Sequence, residues 1–152
     1  DPDGAQEEKA APRTPNQMLA DTAARNGDWA TVLRLTRDAR NSEVALRALN
    51  RKAHSWAHGR LAFAVRAVRQ ERYDEAREAM DEVGLTMKGE PEAVDADRGL
   101  KAIELMRDLT ALSDDSPLRA TVRKTAYEQL RGSRWAPLFS EIAMPSAALS
   151  KK

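Results

Sequence analysis

Apolar residues in this chain recur three or four positions apart, the spacing that places them on one face of an α-helix. The first such segment begins at Thr14, which is followed by proline at the first helical position and by Gln17, the partner of Thr14 in a capping box. Asn26-Gly27 is expected to end the helix, because glycine readily adopts the left-handed backbone conformation found just after a helix C-terminus. The pattern predicts a first helix whose apolar positions are Met18, Leu19, Ala20, Ala23 and Ala24.

A second helix is predicted to begin after Asp28, whose side chain can cap it, and to run from Trp29 to Arg40. A long apolar pattern then extends from Val44 to Val68. Gly59 lowers helix propensity by roughly 1 kcal/mol relative to alanine, so the segment forms either one long helix or two helices that meet near His58-Gly59, and we favour the break. The positions predicted to be buried in these segments are Val32, Leu33, Leu35, Ala39, Val44, Leu46, Leu49, Ala53, Trp56, Leu61, Phe63, Val65 and Val68.

Four further segments show the same helical spacing. Residues 74–87 form the first, and the second follows Gly89-Glu90-Pro91. Ser116-Pro117 opens the third, and a short closing helix begins near Pro137, with Trp135 in the turn before it. Their predicted apolar positions are Ala76, Ala79, Met80, Val83, Val94, Leu100, Ile103, Leu105, Met106, Leu109, Leu112, Val122, Ala126, Tyr127, Leu130, Leu138, Phe139 and Ile142.

These segments predict an all-α fold with one helical repeat domain over 14–144. Residues 1–13 lack apolar periodicity and carry proline, glycine and acidic residues, which predicts a disordered N-terminal tail. Residues 145–152 are short of anchoring side chains and are expected to fray. Abundant alanine, leucine, arginine and glutamate, with few aromatic residues, favour the same fold class.

Composition also restricts the chemistry. The absence of cysteine excludes disulfides, thiolate metal sites and cysteine nucleophiles. The sequence has neither an apolar run of the roughly 18 residues that cross a bilayer nor a signal-peptide pattern, so we expect a soluble chain without membrane insertion. Because the chain begins with Asp1, we expect a processed product, either cytoplasmic or exported after removal of a signal or anchor.

Charge alternates in blocks along the chain, although the overall net charge is only +1. Residues 1–13 carry −2, residues 14–72 carry +6, residues 73–115 carry −8 and residues 116–152 carry +5. We interpret these blocks mainly as solvated helix faces, with the basic section packed beside the acidic one or facing water. They would also give a partner a polarised surface to recognise.

An internal repeat accompanies this pattern, because residues 18–39 and 62–83 align without gaps at a spacing of 44 residues. Both copies place a small residue in the first helix (Ala20 and Ala64) and an aromatic after the turn (Trp29 and Tyr73). A looser third copy contains Gly132 and Trp135. The pattern resembles the tetratricopeptide repeat, although that family has a period of about 34 residues.

The resemblance implies helix-turn-helix hairpins stacked as a short tetratricopeptide-like solenoid or a right-handed helical bundle. It also implies a non-catalytic interaction module or scaffold that binds a protein or peptide along the first helix of each hairpin. Because of Arg25 and Arg69, an acidic partner is preferred. The partner-binding residues nominated in this way, with Arg66 added because it shares a helical face with Arg69, are Gln17, Asp21, Arg25, Leu61, Val65, Arg66 and Arg69.

Other functions have less support in the sequence. Arginines and lysine in section 47–72 suggest an alternative, binding to nucleic acid or another polyanion, but no recognised nucleic-acid motif accompanies them. His54 and His58 lie four residues apart as in helical zinc sites, yet their sequence neighbours are cationic, so ordinary surface histidines are favoured over a metal site. The sequence contains no recognised catalytic motif. We therefore expect no enzyme activity and no cofactor.

Overall fold

The computed structural model describes residues 13–39 and 43–143, which contain seven α-helices and no strand. The helices are α1 (Pro15–Arg25), α2 (Trp29–Thr36), α3 (Val44–Arg69), α4 (Tyr73–Thr86), α5 (Pro91–Ala111), α6 (Leu118–Leu130) and α7 (Trp135–Ala143). The all-α prediction is confirmed for this part of the chain. The predicted tails 1–13 and 145–152 lie outside the described residues, except for Arg13.

The chain divides into two compact units between Ser55 and Trp56, at a point inside α3. The described part of the first unit, residues 13–39 and 43–55, contains α1, α2 and the beginning of α3. The described part of the second unit, residues 56–143, contains the rest of α3 together with α4 to α7. Within the second unit α5 packs against α4, α6 and α7, and α6 also packs against α7.

The first hairpin has the caps that the sequence predicts. The Thr14 hydroxyl accepts from the Gln17 N–H at 3.2 Å, while the Gln17 side chain accepts from the Thr14 N–H at 3.0 Å. Asp28 caps α2 by accepting from the Thr31 hydroxyl at 2.6 Å and from the Thr31 N–H at 3.2 Å. These two hydrogen bonds lower the pKa of the Asp28 carboxyl. Helix α2 ends at Thr36, four residues earlier than predicted.

Helix α3 is continuous, so the predicted break at Gly59 is wrong. Gly59 is exposed, while Ala57 and Leu61 on the other side of the helix are fully buried. Burial of that apolar face stabilises the helix by more than the roughly 1 kcal/mol that one glycine costs.

The core of the second unit is built from small and aliphatic side chains around one tryptophan. The predicted inner face of α4 is confirmed, because Ala76, Ala79, Met80 and Val83 have no exposed surface. Trp135 is also fully buried, but it is the first residue of α7 rather than part of the preceding turn. Other buried residues of this core include Leu61, Ala64, Val68, Ala96, Ala102, Ile103, Met106, Leu109, Leu130, Leu138 and Phe139.

Several apolar residues predicted to be buried are instead exposed. Val94 and Tyr127 are 56% and 65% exposed, and Met18 and Leu19 are 52% and 57% exposed. In α1 and in the first half of α5 smaller residues form the contact face, since α1 buries Ala20 and Ala23 while α5 buries Ala96 and Gly99. Small residues let helices approach closely, and the larger side chains are then left on the outer face.

The first hairpin turns through a left-handed residue. Gly27 has φ 72°, and its N–H donates to the Ala24 carbonyl at 3.1 Å. The Asp28 N–H then donates across the turn to the Ala23 carbonyl at 2.8 Å. This arrangement satisfies the last carbonyls of α1 and reverses the chain into α2.

The second hairpin repeats this turn 44 residues later with glutamate in the glycine position. Glu71 has φ 59° and is the non-glycine residue with positive φ among the described residues. Its N–H donates to the Val68 carbonyl at 3.0 Å, and the Arg72 N–H donates to the Ala67 carbonyl at 2.8 Å. Burial raises the pKa of the adjacent Tyr73, and the charge of Glu71 raises it further. The aligned copies therefore share turn geometry as well as residue pattern.

Replacing Glu71 with glycine is expected to raise the free energy of unfolding by about 0.5–1 kcal/mol, because glycine adopts positive φ without a Cβ clash. Urea denaturation followed by circular dichroism measures the change. Gly27→Ala is the matched control at the equivalent position of the first hairpin, and it is expected to lower stability by about 1 kcal/mol. A Glu71→Gly protein less stable than wild type would contradict the expectation.

None of the helices in 13–39 and 43–143 has both the length and the apolar character needed to cross a membrane.

Candidate functional site

The nominated residues of the first hairpin have local structural contacts. Gln17 completes the capping box of α1, and the Asp21 carboxylate accepts a hydrogen bond from the guanidinium of Arg13. Arg25 is exposed and donates to the Thr22 hydroxyl at 3.2 Å. Gln17 and Asp21 therefore stabilise the start of α1, while Arg25 remains accessible from solvent.

The nominated residues of the second hairpin differ in exposure. Leu61 is fully buried in the core of the second unit, so it does not line a surface open to a partner. Val65 is half-buried, and Arg66 and Arg69 are exposed. The structure therefore places Val65, Arg66 and Arg69, but not Leu61, on an accessible side of α3.

Arg69 binds a carboxylate within its own unit. Its Nε lies 2.9 Å from Glu141 Oε2 and its Nη2 lies 3.2 Å from Glu141 Oε1, a two-pronged contact with helix α7. The hydrogen bonds from Arg69 to Glu141 raise the pKa of the Arg69 guanidinium. An acidic side chain of the chain itself thus sits where the sequence predicted an acidic partner.

Other cations of section 56–72 also pair within the second unit. Arg60 Nε lies 2.9 Å from Glu82 Oε1, and Arg72 Nη1 lies 2.8 Å from Glu75 Oε1. Both guanidinium groups also approach the Phe63 ring, at 5.0 and 5.7 Å from its centroid. The interpretation that the basic section packs beside the acidic section is confirmed for these arginines.

The same fold gives His58 an acidic neighbour that the local sequence lacks. His58 Nε2 lies 3.2 Å from Glu92 Oε2, which belongs to helix α5. The Glu92 side chain is only 6% exposed, although it belongs to the acidic section 73–115, which we interpret mainly as solvated helix faces. His58 therefore contributes an ion-pairing contact between α3 and α5 when it is protonated.

A cleft of about 580 Å³ opens in the second unit between the first half of α5 and the turn that joins α6 to α7. The turn residue Gly132 has φ 81°, a backbone conformation that favours glycine. Val94 is 56% exposed at the cleft, and Arg98 is exposed one helical turn later. The lining residues are Pro91, Val94, Asp95, Arg98, Gly132, Ser133 and Arg134.

Asp95 holds the two walls of this cleft together. Its carboxylate Oδ1 and its backbone carbonyl both accept from the indole Nε1–H of Trp135, at 2.7 and 2.8 Å. Its Oδ2 lies 3.0 Å from Arg134 Nη2. Because Trp135 is fully buried, its hydrogen bonds fix the Asp95 carboxylate against the core, and the guanidinium of Arg134 balances the negative charge.

Arg98 differs from Arg134 because it makes no ion pair within residues 13–39 and 43–143. The cleft therefore combines the accessible guanidinium of Arg98, the exposed side chain of Val94 and a floor formed by Asp95, which Trp135 and Arg134 hold in place. Such a surface can receive a carboxylate next to an apolar side chain.

The sequence did not nominate any residue of this cleft. The sequence pattern predicts that Val94 is buried and that Trp135 lies in a turn, and it indicates no role for Asp95. A buried tryptophan requires an acceptor for its indole N–H, which is a usable signal, but the acceptor lies 40 residues away in the chain.

No protein-family model, no curated protein and no solved structure matches this chain.

Proposed function

We propose that this chain is a degenerate tetratricopeptide-like interaction module that binds a segment of a partner protein without catalysing a reaction. The repeated left-handed turns at Gly27 and Glu71 support the repeat assignment, because they combine the same hydrogen bonds with the same spacing of small and aromatic residues. The binding site that we favour is the cleft of the second unit, between α5 and the α6–α7 turn.

The character of the cleft is the observation that carries this proposal. The cleft of about 580 Å³ is open to solvent rather than enclosed, which suits a segment of a partner protein docked on the surface better than a small ligand held inside. The Asp95 carboxylate is engaged by Trp135 and Arg134, so it is not arranged as a general base. A floor fixed before binding reduces the ordering cost of association.

The occupant that fits best is a peptide with an acidic residue beside an apolar one. Arg98 would receive the carboxylate and Val94 the apolar side chain. This preference agrees with the acidic partner expected from the sequence but moves the site to α5. The face of α3 is less favourable, because Leu61 is buried and Arg69 already binds Glu141.

Polyanion binding through section 47–72 has less support in the second unit. There Arg60, Arg69 and Arg72 each bind a carboxylate, and every such pair would have to open before a phosphate backbone could bind.

A peptide-display selection against the whole chain, followed by fluorescence anisotropy with the enriched peptides, tests the proposal. We expect enriched peptides that combine an acidic residue with a neighbouring apolar one. Arg98→Glu should weaken their binding by about tenfold or more, since it replaces an attractive charge pair with a repulsive one.

Arg107→Glu is the matched control, because Arg107 is an exposed arginine of the same helix that does not line the cleft. It should change affinity less than about twofold, as expected for a charge remote from the site. Equal losses for the two variants, or a selection that enriches no such peptide, would refute the proposed site.

A further inference from the structure

The first unit contains a cavity of about 290 Å³ that is more polar than the cleft of the second unit. It lies between the end of α2 and the beginning of α3, and its residues are Thr36, Arg37, Ala39, Arg47, Asn50 and Arg51. Three of these six residues are arginines, and no carboxylate lines the cavity among the described residues. Its charge is therefore positive and favours an anion.

The α3 residues of the cavity share one helical face. Arg47 and Arg51 are one turn apart, and Asn50 lies beside them at the i+3 position from Arg47. Arg51 is exposed and Arg47 is half-buried, so both guanidinium groups can reach the cavity opening. Within residues 13–39 and 43–143 neither of them forms an ion pair, in contrast to Arg60, Arg69 and Arg72 further along the basic section.

Uncharged donors at the bottom of the cavity are already ordered. Thr36 is 1% exposed, and its hydroxyl donates to the Val32 carbonyl at 2.7 Å. The same hydroxyl oxygen accepts from Asn50 Nδ2 at 3.1 Å. This bond uses one of the two amide hydrogens of Asn50, and the other remains as a donor beside the arginines.

We infer that this cavity is a binding site for a single phosphate group, held by Arg47 and Arg51 with the Asn50 amide as a further donor. A guanidinium presents two parallel N–H groups that match two phosphate oxygens, and two such forks can neutralise a dianion. The site belongs to the first unit and does not depend on the proposed peptide cleft of the second. Free phosphate and a phosphorylated side chain present the same chemistry to it.

The test is an NMR titration of the whole chain with inorganic phosphate at constant ionic strength maintained with chloride. We expect saturable shifts of the Asn50 side-chain amide and of the Arg47 and Arg51 Nε–H signals. Arg47→Gln/Arg51→Gln should raise the dissociation constant by about tenfold for each arginine removed, on the scale of a charge-assisted contact. Arg51→Lys keeps the charge but loses the fork, and it should also weaken binding.

Lys52→Gln/Arg66→Gln is the matched control, because it removes two positive charges from the same helix without altering the cavity. This control should leave phosphate binding unchanged, and circular dichroism should show wild-type helix content for all variants. A phosphoserine peptide that binds more tightly than inorganic phosphate would support the site with a phosphoprotein as the source, whereas equal affinity would support it with a small phosphate.

Two results would overturn this inference. One is a phosphate affinity that falls equally in the control and in the cavity variants. The other is binding seen only with duplex DNA, with a steep salt dependence, which would indicate a diffuse polyanion surface instead.

Discussion

Replacing Gly99 with alanine is expected to lower the free energy of unfolding by about 2–3 kcal/mol, as overpacking of a filled core does. A Cβ at this position of α5 would lie 2.6 and 2.8 Å from two ring carbons of Trp135, with the sulfur of Met80 closer still. Both neighbours are fully buried, and the rigid Trp135 ring cannot move away from a new Cβ without disturbing the side chains packed around it. Alanine gains about 1 kcal/mol of helix propensity over glycine, which reduces this loss but does not reverse it.

Gly59→Ala is the control, because Gly59 also lies inside a long helix but a Cβ added there would meet no atom within 4 Å. The same substitution there should raise stability by up to about 1 kcal/mol. Guanidinium chloride denaturation compares the midpoints at an unchanged slope. If both substitutions shift the midpoint in the same direction, then close packing does not explain Gly99.

The turns and caps were the most predictable part of this fold. Thr14, Asp28 and Gly27 act on atoms within a few residues of themselves, so their residue types are sufficient to predict the boundaries of α1 and the start of α2. The alignment of the two hairpins also identified Glu71 as the counterpart of Gly27, and both have positive φ. Local chemistry of this kind does not depend on how distant segments pack.

The helix faces were harder to predict, because packing rather than hydrophobicity selected them. In α5 the large residue Val94 is exposed while Ala96, Gly99 and Glu92 are buried. A hydrophobic pattern predicts instead that Val94 is buried and Glu92 is exposed. Gly99 is buried because the Trp135 ring needs its space, and Glu92 is buried with a contact to His58, so both depend on residues distant in sequence.

The function of the basic section 47–72 was also hard to predict from the sequence. Its composition suggested one anion-binding surface over 47–72, but the fold separates its arginines into two kinds. Arg60, Arg69 and Arg72 bind carboxylates of the second unit, while Arg47 and Arg51 line a cavity of the first. Charge counts cannot distinguish a neutralised arginine from an available one, because the acidic partners lie up to 72 residues away.

Replacing Trp135 with phenylalanine is expected to lower the free energy of unfolding by about 2–4 kcal/mol, through lost ring volume and a lost hydrogen-bond donor. The indole N–H donates to both the carboxylate and the backbone carbonyl of Asp95, and phenylalanine leaves the buried side of both acceptors without this partner. Because the same contacts fix the cleft floor, the variant should also weaken binding of peptides selected on the wild-type protein.

Asp95→Ala separates the contribution of the Asp95 carboxylate from that of the Trp135 indole. It removes the carboxylate and keeps the backbone carbonyl that accepts from Trp135 at 2.8 Å. It should cost only about 1 kcal/mol, since the pair with Arg134 is partly exposed and contributes little to stability. Denaturation midpoints and peptide affinities are measured for both variants. If Trp135→Phe costs no more than Asp95→Ala, the indole does not join α7 to α5 in the way that its hydrogen bonds indicate. If stability falls while peptide affinity is retained, then the floor of this cleft does not form the binding site.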